Sequence, residues 1–154
     1  MKAIKYLFWN LQKKNLIGPL VQIILENSID IVALIETEKI DLQGVINSLK
    51  MQSQEWRVLE VCPKAPMRVL AKAGIKISVH TEEKRFSSYR IKENKEVYLL
   101  NVVHLPSPIY LEEPARDMNA MRISQLLEKV EENIFNDLEY KSIVVGDFNL
   151  QPYS

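Results

Sequence analysis

Four residues follow directly on apolar runs and carry groups capable of polar chemistry, with a fifth close behind the last. YLFW leads into Asn10, IVALI into Glu36 and VYLLNVV into His104, while SIVVG leads into Asp147 with Asn149 just beyond. In open α/β sheets the carboxyl ends of strands form the natural crevice for a site. Neighbouring strands would therefore bring an amide, two carboxylates and an imidazole together. Carboxylates with an amide bind a hard cation such as Mg²⁺ through oxygen, and that cation neutralises a phosphate and helps position an attacking water. Singly, each residue has an ordinary explanation. Glu36 and Asp147 serve as strand-end acids facing water, Asn10 as a turn residue satisfying backbone, and His104 as a satisfied packing residue. Together they are harder to ascribe to accident.

The elements that must position them are legible in the spacing of apolar residues. Residues 3–9 read as a strand, followed by a helix over 15–28 in which Leu16, Leu20, Ile23, Ile24 and Asn27 share a face and Pro19 sits early. Residues 29–35 are almost continuously apolar, as in a strand covered on both faces. A second helix fits 41–52 with Asp41 as N-cap. The segments 55–62, 67–71, 75–79, 84–91 and 96–104 then all read as strands, broken by Pro, Gly, Glu-Glu and Glu-Asn. The longest helix covers 114–137, with Ile123, Leu126, Leu127, Val130 and Ile134 as its apolar stripe, and a last strand covers 142–146. This predicts one mixed α/β domain over 1–154. The uninterrupted series of strands in the middle argues against a flavodoxin-like alternation of strands and helices.

Composition removes whole classes. With 154 residues, 47% hydrophobic and 26% charged, the chain suits one globular domain rather than a disordered, collagenous or coiled-coil protein. The single Cys62 precludes an internal disulfide and points to a reducing, cytoplasmic setting. Two histidines and one cysteine leave no structural zinc site. Four scattered glycines build neither a P-loop nor a dinucleotide fingerprint, so phosphate chemistry here needs side chains or a metal. No apolar run reaches transmembrane length, and the start does not read as a signal peptide. Twenty basic side chains balance twenty acidic ones, but unevenly. Residues 57–95 hold ten Lys/Arg against four Asp/Glu, and residues 112–139 hold three against eight. The basic stretch suits either a phosphate backbone or solvated hairpin faces.

The strings FWNLQKKN, IVALIETE, LLNVVHLPS and IVVGDFNLQP, in this order, resemble the endonuclease/exonuclease/phosphatase superfamily. That group includes pancreatic-type deoxyribonucleases, abasic-site endonucleases, neutral sphingomyelinases and inositol polyphosphate phosphatases. GDFN after an apolar strand is the most specific element, and the opening and ending look most like bacterial members. The resemblance implies a Mg²⁺-dependent phosphoester hydrolase, with Mn²⁺ as the alternative ion, in which positioning and charge neutralisation do most of the work. It assigns metal binding to Glu36 and orientation of metal-associated water or phosphate to Asn10. Asp147 would activate the nucleophilic water, Asn149 would hold the phosphate and that aspartate, and His104 would donate to the phosphoryl group or leaving oxygen.

The resemblance also implies the architecture: a partial four-layer αββα sandwich lacking its C-terminal strands. Family members continue past GDFN to a late Ser-Asp-His-type motif. Here Ser154 comes five residues after Asn149, and His80 sits at a mid-chain strand end. The expectation is therefore an N-terminal portion with open strand edges, weak or absent turnover in isolation, and a homodimer or complementing C-terminal partner. A non-catalytic remnant that binds a partner or phosphate ligand is the alternative. The substrate, whether nucleic acid, phospholipid or small phosphoester, stays open, and Lys13 and Lys14 suit either a phosphate contact or plain surface charge.

Overall fold

The computed structural model describes residues 3–59, 67–93, 96–107, 113–135 and 141–149. They form eight strands and three helices: β1 (Tyr6–Asn10), α1 (Ile17–Asn27), β2 (Ile31–Ile35), α2 (Leu42–Met51), β3 (Trp56–Val58), β4 (Met67–Lys72), β5 (Lys76–Glu83), β6 (Phe86–Glu93), β7 (Glu96–His104), α3 (Glu113–Phe135) and β8 (Lys141–Asp147). The chain divides into two compact units, residues 1–78 and 79–154. The strands make two four-stranded sheets, in the orders β1-β2-β4-β3 and β5-β6-β7-β8.

In the first sheet β1 and β2 run parallel, and β4 is antiparallel to both β2 and β3. The parallel pair needs a crossover, which α1 supplies. Its apolar stripe places Leu20 and Ile24 against Val32 and Leu34 of β2, together with Val45 and Leu49 of α2 and Leu70 of β4. All five positions of β2 are buried, as the unbroken apolar run predicts. Asp30 sets the register at its start. The Asp30 carboxylate accepts from the Lys5 amide at 3.1 Å, while the Asp30 amide donates to the Lys5 carbonyl at 2.9 Å.

Both helices of this unit are followed by a serine in the left-handed region, Ser28 at φ 53° as the C-cap of α1 and Ser53 at φ 57° one residue past the Gln52 cap of α2. After Ser28, the Ile29 amide closes on the Ile24 carbonyl at 3.0 Å, and after Ser53 the Gln54 amide closes on Leu49 at 3.1 Å. Glycine usually fills this position. Asp41 stands at the N-cap of α2 as expected, but its side chain makes no capping hydrogen bond. Its carboxylate instead occupies the space a Cβ on Gly44 would take, with Oδ2 2.8 Å from that point. Asn27 does not share the apolar face of α1: it is exposed, and its amide donates to the Ile23 carbonyl at 3.0 Å.

In the second sheet β6 and β7 are antiparallel, and β7 and β8 run parallel with α3 as their connection. One face packs Phe86, Leu99, Val103 and Leu105 against Ile123 and Val130 of α3, with Leu126 and Leu127 partly buried beside them. The predicted stripe is thus the packed one, while Ile134 lies outside the described side chains. The strand expected over 75–79 runs on to Glu83, so His80 is exposed within β5 rather than at a strand end. The turn falls at Lys84–Arg85, not at the two glutamates. Residues 60–62 of the strand expected over 55–62, Cys62 among them, lie outside the described residues.

Candidate functional site

The two parallel pairings carry all five candidate residues at their carboxyl ends. In β1–β2, Asn10 is in register with Ile35, which puts Glu36 one residue past the ladder. There the Asn10 amide nitrogen donates to Glu36 Oε1 at 3.1 Å, and Asn10 Oδ1 accepts from the Gln12 amide at 2.8 Å. The turn reading of Asn10 holds, since one end of its amide satisfies backbone, while the other end orients the Glu36 carboxylate. Backbone closes the same corner, with the Leu11 amide donating to the Ile35 carbonyl at 3.0 Å and Lys13 to that of Glu36 at 3.1 Å.

Three residues at this corner, Gln12, Lys13 and Glu36, sit in the left-handed region at φ 49°, 55° and 52°. None is Gly or Asn, and such conformations cluster where surrounding structure imposes them for function. Lys13 approaches Glu38 at 3.8 Å and Lys14 donates to Gln12 Oε1 at 3.1 Å, both exposed, as surface charge does.

In β7–β8, His104 and Asp147 are register partners. The Leu105 amide donates to the Asp147 carbonyl at 2.9 Å. Asn149, at φ 46°, donates its backbone amide to Asp147 Oδ1 at 3.2 Å and its side-chain amide to the Leu105 carbonyl at 2.8 Å. One asparagine thus fixes the aspartate and ties the end of β8 to the end of β7. Asn10 and Glu36 belong to residues 1–78, and His104, Asp147 and Asn149 to residues 79–154.

Two contributors escaped the sequence reading. A Cβ on Gly146 would overlap the Val103 carbonyl oxygen and lie 2.9 Å from its carbon, so only glycine lets β8 approach β7 this closely, one residue before Asp147. A lone glycine inside a strand pattern is the signal for such an approach. Arg85 is the other. The His104 amide donates to the Arg85 carbonyl at 3.0 Å, and the Arg85 guanidinium donates to the His104 carbonyl at 3.3 Å. Nothing local distinguishes it from ordinary hairpin charge.

Among the described residues no three His, Cys, Asp or Glu side chains cluster as a metal cage. A Mg²⁺ site does not require one, because this ion keeps several waters and needs one or two carboxylates plus substrate oxygens. The donor set around Glu36 fits that pattern: one half-buried carboxylate held by an amide N–H.

A separate charged group stands at the opposite end of the parallel pair. The Tyr98 hydroxyl donates to Glu96, and Lys141 donates to the same carboxylate at 3.1 Å. The Tyr98 bond, then Lys141, hold the Glu96 carboxyl below its ordinary value, and Glu96 in turn raises Tyr98 and Lys141.

No protein-family model matches the sequence, and no curated protein sequence does. Solved structures do. An endonuclease/exonuclease/phosphatase family protein from Bacteroides thetaiotaomicron matches 99% of this chain over 66% of its own, at 11% identity and a TM-score of 0.66. A mannosyl-6-phosphatase from the same organism matches 99% over 67%, at 12% identity and a TM-score of 0.67. The endonuclease domain of TRAS1, a telomere-specific non-LTR retrotransposon, matches 97% over 61%, at 12% identity and a TM-score of 0.64. The chain thus spans 61–67% of the length of these three. Identity this low shows the fold alone, and it is an α/β fold of two mixed sheets with helices, part of the fold of the endonuclease/exonuclease/phosphatase superfamily that the chain resembles.

Proposed function

We propose that this chain carries the N-terminal portion of a single metal-dependent phosphoester hydrolase domain, with Mg²⁺ or Mn²⁺ as the ion. The observation that carries the reading is the placement of Asn10 with Glu36, and of His104 with Asp147 and Asn149, at the carboxyl ends of the two parallel pairings. The fold shared with a phosphatase and an endonuclease adds to it. Glu36 holds the ion and Asn10 keeps its carboxylate turned; the ion, when bound, neutralises phosphate charge and acidifies water. Asp147, held by the Asn149 amide, accepts the proton of the attacking water. His104 donates to a phosphoryl or leaving oxygen, and proton transfer by one such positioned group contributes about 10²–10⁴ in rate.

The test is Mg²⁺-dependent hydrolysis of bis(p-nitrophenyl) phosphate and of plasmid DNA, with Glu36→Ala and Asp147→Ala alongside the parent chain. Loss of at least about 10²-fold in each variant, with folding intact by circular dichroism, is the expected result. Measurable but equal rates in parent and variants would mean a contaminating enzyme. Either that or a folded parent chain with no Mg²⁺-dependent turnover would remove the reading of this chain as a hydrolase by itself.

A further inference from the structure

A cleft of about 210 Å³ opens between the β5–β6 turn and α3, within residues 79–154. Lys84, Arg85 and Arg122 line it together with Glu83, which pairs with Arg122 at 3.3 Å. Three cations against one carboxylate leave the lining electropositive. This is so although α3 and its flanks, residues 112–139, are strongly acidic as a whole. The remaining walls are apolar, from Phe86, Leu105, Ile123 and Leu126. Low-polarity walls strengthen the attraction of nearby cations for an anion. The cleft is smaller than the roughly 300–1,000 Å³ that drug-sized ligands occupy, so it suits one anionic group with a short carbon attachment.

Its position gives it meaning. Arg85 binds the His104 backbone from both sides, carbonyl to amide and guanidinium to carbonyl. A guanidinium carries five N–H donors, and one is used on His104. An anion in the cleft therefore meets the β5–β6 turn, whose Arg85 is bonded to the His104 backbone at the end of β7. We propose that this cleft is a second phosphate subsite, taking a phosphate group of the substrate other than the one hydrolysed. This rests on the phosphoester reading above and narrows it to esters carrying at least two phosphates, whether adjacent phosphates of a nucleic-acid strand or a phosphorylated sugar.

Binding without turnover tests it separately from that reading. Calorimetry in EDTA compares thymidine dinucleotide with and without a 5′-phosphate, fructose 1,6-bisphosphate with fructose 6-phosphate, and inorganic phosphate alone. The parent chain is expected to bind the two-phosphate member of at least one pair about tenfold tighter, as one charge-assisted contact supplies. The exposed pair Lys84→Gln/Arg122→Gln should lose that preference while its circular dichroism and melting stay those of the parent. Which pair shows the preference identifies the source. No preference in either pair, or one that survives the double substitution, would overturn the subsite. Failure of hydrolysis leaves this measurement intact, and hydrolysis without the preference removes only the subsite.

Discussion

Glu36 combines a left-handed backbone with a carboxylate held by Asn10, and the proposed ion site rests on that carboxylate. Partners that orient a metal ligand typically account for 10–100-fold in affinity. Asn10→Ala is therefore expected to weaken Mn²⁺ binding by about that factor in a calorimetric titration, without lowering the melting temperature by more than a few degrees. The Glu96–Tyr98–Lys141 group predicts a different behaviour. A carboxyl depressed in the folded state stabilises above its unfolded value, about pH 4.3, and the contribution is lost as pH falls through the folded value. Glu96→Gln should then lower the melting temperature at pH 7 in low salt and leave it unchanged near pH 2. Added salt should shrink the effect, because the group is exposed.

At the scale of elements, the parallel pairings decide where the polar residues fall, and the antiparallel strands build out the sheets that hold them. Gly146 is the tightest point of the second pairing. Gly146→Ala should destabilise by about 1–3 kcal/mol in urea, as overpacking does, and should shift the NMR signals of His104 as β8 moves off β7. The serine-ended helices predict the opposite sign. A left-handed residue with a Cβ costs about 1–2 kcal/mol, partly offset by the extra chain entropy of glycine, so Ser28→Gly and Ser53→Gly should each stabilise by about 0.5–1 kcal/mol. These serines were invisible in the sequence, since glycine or asparagine marks such ends. The helices themselves were visible because their apolar spacing repeats over two or more turns. The β5–β6 turn was misplaced by two residues because charged pairs also occur within strands whose faces meet water.

For the whole molecule, the element order and the fold were legible because strand runs and helical stripes seldom mimic one another at these lengths. The partners of each candidate residue were legible only as far as the parallel register extends. Asn10 against Glu36 and His104 against Asp147 follow from neighbouring strands of equal reach, whereas Arg85 comes from a turn that no apolar pattern locates. No helix among the described residues is long and apolar enough to cross a membrane.

The backbone of Glu36 has a consequence for anyone evolving this protein. A selection for heat resistance alone would favour Glu36→Gly or Glu36→Asn, because both residues accept φ 52° more readily and relieve about 1 kcal/mol of strain. Libraries screened without a functional readout would thus drift toward hardier chains with an emptied corner. A glutamate retained there against that drift, across many rounds under a dual selection, would record the value of the carboxylate directly.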